Sequence, residues 1–147
     1  MSRNGVLRVK NFLFGGLVSG PIFAHAGLAV LRVVAGLSMA FGHGLAKLPP
    51  PDRFVKIIAA LDFPAPALFA WAAGMSEFVG GLLLAVGLMT RPAAATVAIT
   101  MGIAVFGQHA DDPFQARELA TLYGAIALAF TLTGSGRLGL DRIVNRM

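Results

Sequence analysis

One carboxylate, Glu77, stands eleventh in a 23-residue stretch, Ala67 to Met89, that holds no other charged side chain. About twenty apolar residues in helical form cross the roughly 30 Å hydrocarbon core of a bilayer. An acid at the middle of such a span is costly unless it faces a partner or a polar cavity, and it marks function by default. The preceding apolar stretch carries Arg32 near its middle and His43 near its end. Eleven residues is about three helical turns, so these two share a face, with Gly36 and Met39 between them. Arg32 lies ten residues from Ile22, and Glu77 twelve from Met89. At 1.5 Å per residue both come out about 15–18 Å deep. Opposite charges at one depth on adjacent antiparallel helices predict a buried Arg32–Glu77 pair. Such a pair either fixes helix register alone or tunes an acid that accepts protons or orients a ligand.

A second polar group gathers toward the outer side: His43 and Lys47 after the first span, His109 closing the third, Glu118 opening the fourth. Arg32, His43 and Glu77 then form a ladder from bilayer centre to surface, which His109 and Glu118 extend. Histidine exchanges protons near pH 6.5, which suits it to that position. Two histidines on separate helices, without a close ligand motif, are thin support for haem or a metal, and hydrogen bonding to loops is their more ordinary use. No metal site is therefore assigned. Tyr123 offers a hydroxyl or an interfacial anchor, Trp71 is an outer-interface anchor, and His25 has no evident partner. The sequence has no phosphate-binding loop, zinc motif or nucleophile elbow, and no cysteine for thiol or iron–sulfur chemistry.

The elements that must position these residues are apolar helices cut by proline and glycine. Spans are expected over residues 22–45, 67–89, 93–108 and 118–133 of a single integral membrane domain. The last two are short and borrow length from His109 and Arg117. Asn11 to Ala24 is read as an interfacial or re-entrant lead-in, and Ala24-His25-Ala26 has the small-residue form of a signal-cleavage site. Pro49-Pro50-Pro51 ends the first span. Between spans one and two, Phe54, Ile57, Ile58 and Leu61 fall on one helical face and Arg53, Lys56 and Ala60 on the other, which predicts a short amphipathic helix in the interface plane. The fold class expected is all-α: a four-helix transmembrane bundle with that one interfacial helix.

Composition agrees. Hydrophobic residues are 56% and charged residues 13% of the 147, too little charge to clothe a water-facing surface. The net charge of +5 flanks apolar spans rather than forming runs, so it points to membrane orientation and not to nucleic acid. With both termini inside, seven basic residues lie in cytoplasmic segments against four in outer loops, which favours cytoplasmic termini. Small residues recur every four positions, as in Gly36, Ala40 and Gly44, or Ala73, Gly81 and Ala85 around Glu77. Gly36, Gly44, Gly80 and Gly81 are the expected helix-packing contacts, where backbones approach closely.

These residues resemble a known family. Arg32, Gly36, then Phe41-Gly42-His43-Gly44 with Lys47-Leu48, is similar to the first-helix signature of the DoxX family. Glu77, Gly80-Gly81, Leu82-Leu83-Leu84, Gly87-Leu88 and Thr90-Arg91 resemble its second-helix signature, and Gly134-Ser135-Gly136-Arg137-Leu138 with Asp141 its closing segment. The resemblance covers about Leu31 to Asp141; the lead-in and the triple proline depart from the pattern. It implies a four-helix inner-membrane protein associated with redox systems, since members include a subunit of thiosulfate:quinone oxidoreductase. Family membership does not by itself transfer an activity.

Three functions are weighed. The first is a membrane subunit of a quinone-linked or other redox complex, with Arg32, His43 and Glu77 lining a polar pocket for a quinone headgroup, and apolar walls for its tail. The second is a non-catalytic assembly subunit of a larger membrane complex. The third, a small-solute or proton carrier, is disfavoured because four short spans without an inverted repeat leave little room for alternating access. The partners implied are the lipid bilayer, other membrane subunits, and a quinone or small apolar molecule.

Overall fold

Proline opens the helices of this chain and glycine closes them. Pro21, Pro51 and Pro113 sit in extended conformation immediately before three helices, and Pro66 occupies the first turn of another. Proline lacks the amide hydrogen that a first turn leaves unused anyway. At the other ends, Gly87 (φ 71°) and Gly134 (φ 70°) stop two helices in backbone conformations that side chains resist. The computed structural model describes residues 13–16 and 20–146, and most of the lead-in expected over Asn11 to Ala24 lies outside them. Among the described residues the fold is all-helical, with no strand.

We number the helices α1 (Ile22–Lys47), α2 (Asp52–Ala60), α3 (Pro66–Val86), α4 (Thr90–Gln108), α5 (Phe114–Thr133) and α6 (Asp141–Arg146). Ala24-His25-Ala26 lies inside α1. Three helices, α1, α3 and α4, are long and apolar enough to cross a membrane. At 20 residues α5 has the length, but it begins with Arg117 and Glu118 in its second turn. On α2, Ile58 is buried and Phe54, Val55 and Ile57 are half-buried, while Arg53 and Lys56 are exposed.

Helix α1 packs on α3, α3 on α4, and α4 along α5. Met39 of α1, Val97 and Met101 of α4 and Ala127 of α5 meet in one buried cluster; Leu84, Ala94 and Phe130 form a second nearer the Gly87 end. The outside is as apolar as the inside: Phe23, Phe106 and Leu132 are each at least 70% exposed. Exposed large apolar residues in such number identify a lipid-facing surface. In lipid, close packing rather than the hydrophobic effect holds helices together. Gly36 supplies it, because a Cβ there would stand 2.5 Å from the Gly81 carbonyl oxygen and 2.7 Å from the Ala85 nitrogen.

Three π-helical turns widen these helices: Ala40–Gly44 in α1, Ser76–Gly80 in α3 and Ala104–Gln108 in α4. Single π turns inside α-helices are frequent at functional sites. The first two face each other across the α1–α3 contact.

Candidate functional site

Glu77 belongs to the π turn of α3 and is 1% exposed. Across from it, α1 presents Gly44, where any Cβ would collide with the Phe78 backbone nitrogen. One turn further along the same face, α1 tightens into a 3-10 turn, Leu45–Lys47, and ends. Lys47 therefore stands directly over the acid: its Nζ donates to Glu77 Oε1 at 2.6 Å and Oε2 at 2.7 Å. The lysine is partly exposed and its ammonium lies 5.0 Å from the centre of the Phe54 ring of α2. A buried carboxylate is thereby paired, while one face of its partner remains open.

The pair forms part of the wall of a cavity of about 570 Å³. Phe54 and Ile58 of α2, with Leu61 just after it, cover one end; Ala73, Val79 and Leu83 of α3 and Pro92, Ile99 and Ile103 of α4 form the sides. Its other polar groups are few: Ser76, Thr96, Thr100 and Gln108. Thr100 Oγ1 lies 3.1 Å from Ser76 Oγ and 3.0 Å from the Thr96 carbonyl, so two of these hydroxyls are already tied together. An apolar cavity in the 300–1,000 Å³ range with a few convergent polar groups has the usual form of a small-molecule site.

The sequence-predicted residues are distributed differently. Glu77 lines the cavity; Arg32, His43, His109 and Glu118 do not. The expected Arg32–Glu77 pair is not formed, and Lys47 takes its place. The reason is helix register. Gly36 rests on Gly81 and Ala85, and Gly44 on Glu77 and Phe78. These contacts set Arg32 level with Leu84 to Gly87, seven to ten residues, or roughly 10–15 Å, from the level of Glu77. Helix α1 overhangs α3 at that end, so counting depth from Ile22 and Met89 placed both charges at a false common level. Arg32 is 3% exposed and donates to the carbonyls of Leu84 (3.3 Å) and Leu138 (3.4 Å). It fits because Gly87 leaves room for the guanidinium that no side chain would.

His43 is half-buried and meets Tyr123 edge-on, ring centres 5.5 Å apart. His109 ends α4 and pairs with Asp112, Nδ1 to Oδ2 2.7 Å, within the loop. Glu118 is exposed on α5. No group of three or more His, Asp or Glu residues converges into a possible metal site among the described residues. His25, which lacked a partner in the sequence, accepts the Arg137 amide at Nδ1 (3.4 Å).

Two polar residues named in the sequence, Lys47 and Asp141, were assigned no partner there. Lys47 continues the Gly36–Ala40–Gly44 stripe by three residues, and that spacing already aimed it at α3. Asp141, 1% exposed, accepts the amides of Met89 (2.6 Å) and Thr90 (3.0 Å) and so caps α4 from across the fold. No local spacing announces a contact over some fifty residues of chain.

A family model for DoxX matches residues 27–110, which include Arg32, Lys47, Glu77 and all of the cavity lining. The chain belongs to the DoxX family. Among its relatives is a Bacillus subtilis protein named "Putative oxidoreductase CatD", 29% identical over 119 residues, covering 80% of this chain and 87% of the relative. An uncharacterized protein of Haemophilus influenzae is 34% identical over 122 residues (78% and 87%). The inner membrane protein YphA of Escherichia coli is 31% identical over 109 residues (67% and 77%). No solved structure matches. This DoxX protein is thus a membrane protein, and one of its relatives carries an oxidoreductase name.

Proposed function

We propose that this DoxX protein is the membrane-embedded subunit of a redox complex and that its cavity receives a quinone. The observation that carries the reading is the cavity itself: apolar walls of quinone scale, with one Lys47–Glu77 pair, its acid buried, at one end. The Lys47 ammonium would donate to a quinone carbonyl and stabilise negative charge as electrons arrive. Glu77 is the group positioned to exchange a proton there, and Lys47, partly exposed, links it to the surface. The isoprenoid tail would lie along Val79, Leu83 and Ile99 toward Met89 and Pro92. Reduction to the quinol needs two electrons and two protons; the electrons would come from a partner protein bearing a redox centre.

The same reading takes α1, α3, α4 and α5 as a four-helix transmembrane bundle with α2 in the interface plane and both termini cytoplasmic. The apolar exterior and the basic-residue count support it. His43, with Tyr123, and His109, with Asp112, are then outlying groups through which protons reach the outer surface; Arg32 supports the fold at the opposite end.

The test is purification in mild detergent with extraction and quantitation of bound quinone, from wild type, Glu77→Gln and the cavity-filling Ala73→Phe. Loss of quinone from both variants at normal protein abundance supports the reading. Quinone absent from wild type, or equally retained by all three, leaves the chain as a non-catalytic assembly subunit.

A further inference from the structure

At the end of the molecule remote from Lys47, a second cavity of about 400 Å³ opens between the turn after α5, the α6 helix and the segment before α1. Its lining is of another kind: Arg142, Arg146 and Asn145 of α6, Ser135 and Gly136 of the turn, with Phe14 as its large apolar member. Arg142 and Arg146 are four residues apart and therefore on one face of α6, where like charges repel. Arg137 adds a third guanidinium: its carbonyl accepts from Arg142 Nη1 at 3.4 Å. Desolvation, and after it the neighbouring Arg146 and Arg137, hold Arg142 below the usual arginine range. Among the described residues no carboxylate forms an ion pair with any of the three. The nearby acid, Asp141, is spent on the Met89 and Thr90 amides.

We infer that this cavity binds a phosphate group, the headgroup of an anionic phospholipid, between Arg142, Arg146 and Asn145. Guanidinium groups match phosphate oxygens with paired donors, and the Asn145 amide adds another. A cavity of 400 Å³ is several times larger than inorganic phosphate requires and leaves space for a glycerol unit beside Phe14. The site lies just past the end of α5, where an apolar surface gives way to charge, which is the level of lipid headgroups. Basic pockets at this level are where anionic lipids are recognised. The site is separate from the quinone cavity, with no lining residue in common, and does not depend on that assignment.

The experiment is thermal unfolding of the full chain in neutral detergent, with added phosphatidylglycerol, phosphatidylcholine or inorganic phosphate. Wild type should gain several degrees with phosphatidylglycerol and nothing with phosphatidylcholine. Arg142→Gln/Arg146→Gln should lose that gain, and Arg142→Lys/Arg146→Lys should keep part of it. The control Arg53→Gln/Lys56→Gln removes the same charge from α2 and should behave as wild type. If the double glutamine variant does not fold, a tenfold or greater weakening of phosphatidylglycerol retention by the lysine pair, read by native mass spectrometry, serves instead. An equal gain from inorganic phosphate, lost in the glutamine pair, keeps the phosphate site and assigns it to the free ion. The inference is overturned if neither phosphate probe stabilises wild type, or if the glutamine pair responds as wild type does.

Discussion

Lys47 and Glu77 depend on each other because the acid is buried and the base is its sole ion-pair partner among the described residues. Removing one member of a buried pair typically costs about 3–5 kcal/mol, chiefly for the unpaired charge left behind. Lys47 is partly open to its surroundings, so Lys47→Met should fall near the lower end of that range. The double substitution Lys47→Met/Glu77→Met should be less destabilised than Lys47→Met alone; equal or greater loss of unfolding temperature in the double would show that the pair is not coupled. Asp141 works through hydrogen bonds to two backbone amides at the start of α4. Replacing a capping acid by alanine removes about 0.5–2 kcal/mol. Asp141→Ala should reach the upper part of that range, because the residue is buried, and Asp141→Asn should recover much of it. Unfolding in detergent, at matched protein abundance, checks both.

Between elements, contact is made by absent side chains. Gly36 and Gly44 let α1 lie on α3 so closely that the carbonyl of Gly81 and the backbone of Phe78 would meet any Cβ. Overpacking a close contact costs about 1–3 kcal/mol, and here the atoms in the way are backbone, which cannot turn aside. Gly36→Ala should therefore destabilise the protein clearly. Gly102→Ala, with nothing within 4 Å of its added carbon, should leave it unchanged or up to about 1 kcal/mol more stable through helix propensity. Similar losses from both would refute the register argument. Gly44→Ala should also disturb the site, since moving α1 away from Phe78 carries Lys47 away from Glu77. That variant should lose bound quinone more steeply than Gly36→Ala does.

For the molecule as a whole, the decisive question is which ends share a side of the membrane. The segment before α1 and the turn after α5 touch, with Gly16 close to Thr133 and Gly136, so these two ends of the described fold lie together. In the orientation proposed from the basic-residue count, that side is the cytoplasmic one. Reporter fusions after Pro51 and at Met147 should then report opposite compartments, with Met147 inside; one shared compartment would remove a span. The two cavities, one apolar beside Lys47 and one basic beside Arg142, would in that orientation open at opposite leaflets.

Much of this was decided by sequence alone. Long apolar runs with few charges cannot be clothed as a soluble surface, so an all-helical membrane protein follows from composition. Proline and glycine act locally on φ and on hydrogen-bond donors, so helix starts and stops were legible within a few residues. Glu77 was legible as a buried, partnered acid because an isolated charge in an apolar run is costly wherever its helix packs. Its partner was not. Arg32 and Lys47 lie at the two ends of one small-residue stripe on α1, and both face α3. Which of them reaches Glu77 depends on how far one helix slides along the other, and no local property of either helix fixes that distance. The backbone contacts of Gly36 with Gly81 and of Gly44 with Phe78 fix it. The cavity has the same origin, because its walls come from four helices and its volume is what their packing leaves unfilled.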